Sequence, residues 1–315
     1  MERPLIQPGK TAVVGGGGGF FGAFQVGCLK IIEKYKIPID EGVCVSVGAI
    51  DVASFFADNC SAKNLEKIYR SLTPSQVFER ESISHILWTR GKIEAFYKME
   101  PLIKLVGDNL NARKLIEQPK EFIATATHVP SGKVAYFSNK DPEIIADPLK
   151  MLLAIIASCA IPTAFRSVHI RYKGSYQEYI DGAFRRPLPI LKAIRDGCNT
   201  IIVLRCHSDK IVRPMPRWAP QRVVWSLSLT TNGVEKDEIA LMKKEQAVNL
   251  FVLEPEQLPS TLNTVSFAKG DIEKAIAEGE RIALRELAPL IEYYQSRSVA
   301  TGEEKPPALP GPEQT

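Results

Sequence analysis

Residues 11–22 read TAVVGGGGGFFG, and residues 43–50 read VCVSVGAI. In both stretches a short apolar run, Thr11 to Val14 or Val43 to Val45, breaks off at small residues and passes into helical spacing. Ala23, Val26, Leu29, Ile31, Ile32 and Tyr35 make the first apolar stripe, and Ala49, Ile50, Ala53, Phe55 and Phe56 the second. A run too short for a helix, then a tight turn, then a period of 3.6 predicts a strand followed by a helix. Two such units within the first 60 residues predict a mainly parallel sheet, because parallel neighbours need a crossover between them.

The rest of the chain extends that reading. Glu121 to Val129 and Lys133 to Phe137 predict paired strands around Pro130-Ser131-Gly132. An apolar helix follows at Pro148 to Ala157, then a loop reaching Tyr179-Ile180-Asp181-Gly182-Ala183. Thr200 to Arg205 and Leu250 to Leu253 read as further strands, and Asp271 to Tyr294 as one long closing helix. Residues 62–118 predict a helical insertion, with helices at Ala62 to Leu72 and Ile93 to Val106. The expectation is a single three-layer α/β/α domain over residues 1–296. Four prolines and few apolar residues predict a disordered tail over 297–315.

Bulk properties narrow the function. A formal charge of +4 on 315 residues gives no field that points to nucleic acid. The opening residues lack the apolar core of a secretory signal, and runs such as Met151 to Ala157 are too short to span a bilayer. These features predict a cytoplasmic protein whose membrane contact is at most peripheral. Cys28, Cys44, Cys60, Cys159, Cys198 and Cys206 form no C-x-x-C pair, so they read as buried small side chains rather than zinc ligands or disulfides. His85, His128 and His169 likewise show no metal spacing. No feature sets an oligomeric state.

Two chemistries compete for the glycine loop. Gly17 to Gly22 has the spacing G-x-G-x-x-G between a strand and a helix, where backbone N–H groups offer fixed donors to negative charge. One use is a dinucleotide pyrophosphate, with Asp40 or Glu41 placed for the ribose. The other is an oxyanion hole. The second turn separates them: Cys44-Val45-Ser46-Val47-Gly48 is close to G-x-S-x-G, the elbow that lifts a serine hydroxyl out of the backbone. Taken singly, Ser46 reads equally as a helix cap and Asp181 as a turn residue before glycine.

Together GGGGGFFGAFQVGCLK, VCVSVGAI, ASCAIPTAF and YIDGAF, spread over residues 11–190, resemble in order and spacing the motifs of patatin-like phospholipases. The resemblance implies a serine acyl hydrolase that needs no metal or organic cofactor and acts on fatty-acyl esters of phospholipids or lysophospholipids. It implies Ser46 as nucleophile and Asp181 as base, in a dyad. Gly17, Gly18, Gly19 and Gly22, joined by the N–H of Val47, would form the oxyanion hole, and Ala157 to Pro162 would shape the site.

The chain departs from the family pattern at three positions. Phe21 stands where Arg or Lys is common, Cys44 where the first elbow glycine is usual, and Pro187 where Asn often follows the aspartate motif. They motivate the rival expectation of a catalytically weak or silent relative that binds lipid or protein. A Ser, Asp, His triad is a further alternative if His207 completes it. Arg205, Lys210, Arg213, Arg217 and Arg222, with Trp218 and Trp225, read either as a membrane-facing segment or as a solvated loop.

Overall fold

A computed structural model describes residues 7–82, 94–208, 210–211, 215–244, 248–301 and 307–309. His85 and Arg213 lie outside these residues, as do 302–306 and 310–315 of the tail. The two strand-to-helix units stand as the sequence predicts. Strand β1 (Thr11–Gly15) leads to helix α1 (Gly22–Lys34), and β2 (Glu41–Val45) leads through Ser46 to α2 (Val47–Ala57).

The remaining strands are β3 (Glu79–Arg80), β4 (Tyr97–Lys98), β5 (Glu121–His128), β6 (Lys133–Ser138), β7 (Val168–Tyr172), β8 (Ser175–Asp181), β9 (Thr200–Leu204) and β10 (Asn249–Leu253). In the main sheet β10, β9, β1, β2 and β5 run parallel in that order, and β6, β7 and β8 add antiparallel pairings. Side-chain alternation sorts the parallel strands into two cores. Val13, Ile202 and Leu204 join α1 and α2 on one face, while Ala12, Val14, Ile201 and Val203 pack on the other with Ile190, Ile239 and Met242. The fold is therefore three-layered α/β/α.

The further helices are α3 (Lys63–Ser71), α4 (Glu100–Asn109), α5 (Ala112–Glu117), α6 (Pro142–Ala146), α7 (Leu149–Ser158), α8 (Ile190–Arg195), α9 (Ala219–Met242), α10 (Asp271–Glu286) and α11 (Ala288–Thr301). Several differ from expectation. The helix predicted from Ile93 begins at Glu100, after β4 has paired with β3, so the 62–118 insertion is not wholly helical. The loop predicted before Tyr179 contains the β7–β8 hairpin, turned at Lys173-Gly174, both with positive φ. The single helix predicted at Asp271 to Tyr294 is two, divided at Leu287, and the second runs past 297 to Thr301. Pro307 accepts a hydrogen bond from Gln295, and Leu309 packs on the core, so part of the predicted tail returns to the body.

The segment read as a basic loop changes most. From Ala219 it becomes the 24-residue helix α9, and Arg205 is 3% exposed, ion-paired to Glu235 at 3.0 Å and Glu254 at 2.5 Å. Composition suggested solvation there because charge was counted without its partners, which come from α9 and from the end of β10. Trp218 lies beneath the Arg80 guanidinium, 4.2 Å from ring centroid to Cζ.

Candidate active site

The register of β5 decides where the chemistry sits. One edge of this strand pairs with β6 from Ile123 to His128. The other edge must then serve both β2, up to Val45 opposite Thr125, and β8, from Asp181 opposite Ala126. The C-terminal ends of β2 and β8 therefore meet head to head along a single edge. Ser46 is the first residue past one end, and Asp181 is the last residue of the other.

Each chain must leave this meeting point sharply. Ser46 does so at φ 55°, ψ −132°, a conformation that costs a non-glycine residue about 1–3 kcal/mol and aims its side chain away from the sheet. The close approach of α2 requires Gly48, where a Cβ would lie 2.5 Å from the Gly15 carbonyl carbon. Opposite the elbow, Gly182 carries the chain from β8 across the end of β5. A Cβ there would stand 2.2 Å from Thr125 O and 2.8 Å from Val45 Cγ2. The Asp-Gly pair thus has a packing reason beyond turn formation.

Cys44 replaces the usual first elbow glycine without blocking the turn. It pairs with Gly15, and its sulfur lies 3.1 Å from where a Cβ of that glycine would be, so the missing side chain of Gly15 makes the room.

Where β2 turns away, the ladder is completed by a residue the sequence did not mark. The Ser46 N–H donates to Ser158 Oγ at 2.8 Å, and Ser158 donates to Thr125 O at 2.6 Å. Ser158 ends α7 within the ASCAIP segment, so this segment holds the elbow through one hydroxyl. Ser158→Ala is expected to cost about 1–3 kcal/mol, because it strands a buried N–H and a buried carbonyl. Denaturant unfolding measures the loss, and retained stability would remove this role.

Asp181 is 2% exposed. Its backbone is fixed by Ala160 O, at 2.9 Å from its N–H, and by Thr127 Oγ1, which donates to its carbonyl at 3.0 Å. Burial pushes its carboxyl up to about 7, against the opposing pull of the Ala183 N–H at 2.8 Å and of the Ser46 hydroxyl. Cys159 is a second polar neighbour of that hydroxyl, and its own thiol is driven well above the usual range by burial.

The loop glycines divide by role. Gly17 stands beside Ser46, where a Cβ would lie 3.1 Å from Ser46 Cβ. Among the described residues, the N–H groups of Gly17, Gly18, Gly19 and Val47 meet no protein acceptor. Gly22 is different: its N–H is already spent on Gly19 O and Phe20 O. A Cβ there would strike Tyr69 Oη at 2.2 Å, so its place is the packing of α1 against α2 and α3, not a donor.

The dinucleotide alternative fails on position. Asp40 accepts from the Thr11 N–H at 2.8 Å, and Glu41 binds Lys10 at 2.5 Å. Both lie at the start of the strands, whereas the glycine loop leaves their far end, about 10 Å away along the strand. The histidine triad also fails to form. His207 Nδ1 faces Glu235 Oε1 at 3.5 Å rather than Asp181. His128 is held by Ser131 and Gln177. Among the described residues no cluster of three His, Cys, Asp or Glu is arranged for a metal, and all six cysteines are free.

Two cavities flank Ser46. The first, apolar and partly open to solvent, runs between α2 and the insertion, lined by Ile50, Leu65, Leu102, Leu105, Val106 and Phe165. On the opposite side Gly17, Gly18, Ser46 and Asp181 share a smaller hollow with His207 and Glu235.

A model of the patatin-like phospholipase family matches residues 13–194. The chain belongs to that family. Its matched region spans the glycine loop, the elbow, the Ala157 to Pro162 segment and Asp181, so all the motif segments of this patatin-like chain fall inside it. It is 26% identical over 293 residues to the uncharacterized protein YjjU of Escherichia coli strain K12, covering 90% of this chain and 75% of that one. In fold it is similar to VipD from Legionella pneumophila, with a TM-score of 0.54 and 12% identity, over 91% of this chain and 70% of that chain. No helix among the described residues is long and apolar enough to cross a membrane.

Proposed function

We propose that this patatin-like protein hydrolyses fatty-acyl esters of phospholipids or lysophospholipids through an acyl-enzyme on Ser46. The observation that carries the reading is the head-to-head meeting of β2 and β8, which sets a strained serine against a buried carboxylate. Ser46 Oγ attacks the ester carbonyl as Asp181 takes its proton. The carbonyl oxygen becomes an oxyanion held by N–H groups of Gly17, Gly18, Gly19 and Val47, without Gly22. Collapse breaks the bond to the alcohol oxygen, which leaves with the proton from Asp181. Water then gives a proton to Asp181 and attacks the acyl carbon; collapse breaks the bond to Ser46 Oγ, which takes the proton back from Asp181 as the fatty acid leaves.

The apolar cavity beside Ser46 supports an acyl chain, since each buried methylene contributes about 0.8 kcal/mol, a factor of about four. Exposed Met215 and Leu229 at the rim of a neighbouring hollow fit peripheral contact with a lipid surface. The test is fatty-acid release from a panel of phospholipids and lysophospholipids of graded chain length. Leu105→Trp, which fills the half-buried far wall of the cavity, is expected to move the preference to shorter chains by several methylenes. No release from any member by the native protein would favour the alternative of a silent lipid- or protein-binding relative, for which Phe21 is the strongest sign.

A further inference from the structure

His207 is a buried group that the proposed reaction leaves unused. Its side chain is 14% exposed, and among the described residues neither ring nitrogen has a hydrogen-bond partner. Nδ1 faces Glu235 Oε1 at 3.5 Å, a polar approach without hydrogen-bond geometry. Glu235, 1% exposed, is held in place through its other oxygen by Arg205 Nε at 3.0 Å, and Arg205 is held in turn by Glu254. The ring also packs edge-on against Phe21, with centroids 6.1 Å apart. That packing explains the orientation of the ring but satisfies neither nitrogen, and an unpaired buried nitrogen costs stability.

Position gives the pair a use. His207 and Glu235 border the hollow that contains Ser46 and Asp181, and His207 also borders a wider cavity lined by Ser208, Trp225, Ser228 and Leu258. Ser46 thus borders both the apolar cavity and a second hollow, and that hollow adjoins, at His207 and Ser228, the wider cavity whose lining mixes polar and apolar side chains. An ester bound across Ser46 with its acyl chain in the first directs its alcohol half toward the second. An imidazole nitrogen that carries no proton is an acceptor for a hydroxyl, and neither nitrogen of His207 is taken by a protein partner among the described residues.

We propose that the cavity beyond Phe21 receives the alcohol half of the ester, and that His207, packed edge-on against Phe21, accepts a hydrogen bond from a free hydroxyl of a glycerol-type alcohol. His207 is then a specificity residue for the leaving group. The proposal rests on the Ser46 hydrolase reading.

The experiment compares two esters of one fatty acid, with glycerol and with 1-propanol, which share a carbon skeleton and differ in hydroxyls. His207→Leu is expected to lower the glycerol-to-propyl ratio of kcat/KM by about tenfold, the scale of one lost hydrogen bond. His207→Gln, which keeps an acceptor, is expected to recover most of it, and His207→Phe replaces leucine if that variant is unstable. An unchanged ratio, or equal loss on both esters, overturns the assignment. Dissociation constants of the same esters for Ser46→Ala protein, with and without His207→Leu, read the preference without turnover. Native protein that hydrolyses neither these esters nor any member of the phospholipid panel defeats the hydrolase reading, while a binding ratio that ignores His207 defeats this inference alone.

Discussion

Ser46→Ala is expected to reduce ester hydrolysis by about 10³-fold or more and to abolish labelling by a fluorophosphonate probe. Nothing else near the elbow can substitute. The Cys159 thiol also neighbours the Ser46 hydroxyl, but burial holds it well above the usual range, so it stays protonated and unreactive at neutral pH. The elbow itself is kept by the Ser158 bridge, which binds the backbone of residue 46 and not its hydroxyl. The variant should therefore melt within a few degrees of the native protein, which separates lost chemistry from lost fold. Activity equal to native, with labelling intact, would remove Ser46 from the mechanism.

Asp181→Asn is expected to lower kcat/KM by about 10²–10⁴-fold, the usual contribution of a positioned base. Its second effect runs the other way. The native carboxyl sits at about 7, above the ordinary value of 3.8, so between those pH values the folded state binds more protons than the unfolded one. Stability carried by the neutral form is complete below about 4 and is lost as pH rises through about 7. By pH 8 the ionised, buried carboxylate costs on the order of 4 kcal/mol. Asparagine keeps an acceptor for the Ala183 N–H and carries no charge. The variant should thus melt several degrees higher than native at pH 8 and show little difference at pH 4. For native protein, kcat/KM should climb about tenfold per pH unit below 7 and level off above it. A rate flat from pH 5 to 8, or a difference in melting temperature between variant and native that is the same at pH 4 and pH 8, would separate Asp181 from the role of base.

These opposed effects share one cause. The same burial that would suit Asp181 to act as a base at neutral pH makes its ionised form a burden on the fold. Ser46 is similar in kind, since the backbone strain that exposes its hydroxyl is sustained by packing around Gly15, Gly48 and Ser158.

The chain order of residues 11–60 was enough to determine the two strand-to-helix units, because apolar runs and glycine turns act within a few residues of one another. The motifs also marked Ser46 and Asp181 before any coordinate did. What they left open was decided by pairing over long sequence separations. Helix α9 hid behind a basic composition because the carboxylates that neutralise Arg205 come from Glu235 and Glu254, 30 and 49 residues on. Ser158 looked like any small residue until α7 set it between Ser46 and Thr125. Gly22 shared the spacing of a donor loop, yet the turn consumed its N–H and Tyr69 filled the space above it. Local sequence determines which segments form strands and turns, since that depends on neighbouring side chains. Which ends meet is decided by strand register, and here one edge of β5, shared by β2 and β8, brings together residues 135 positions apart.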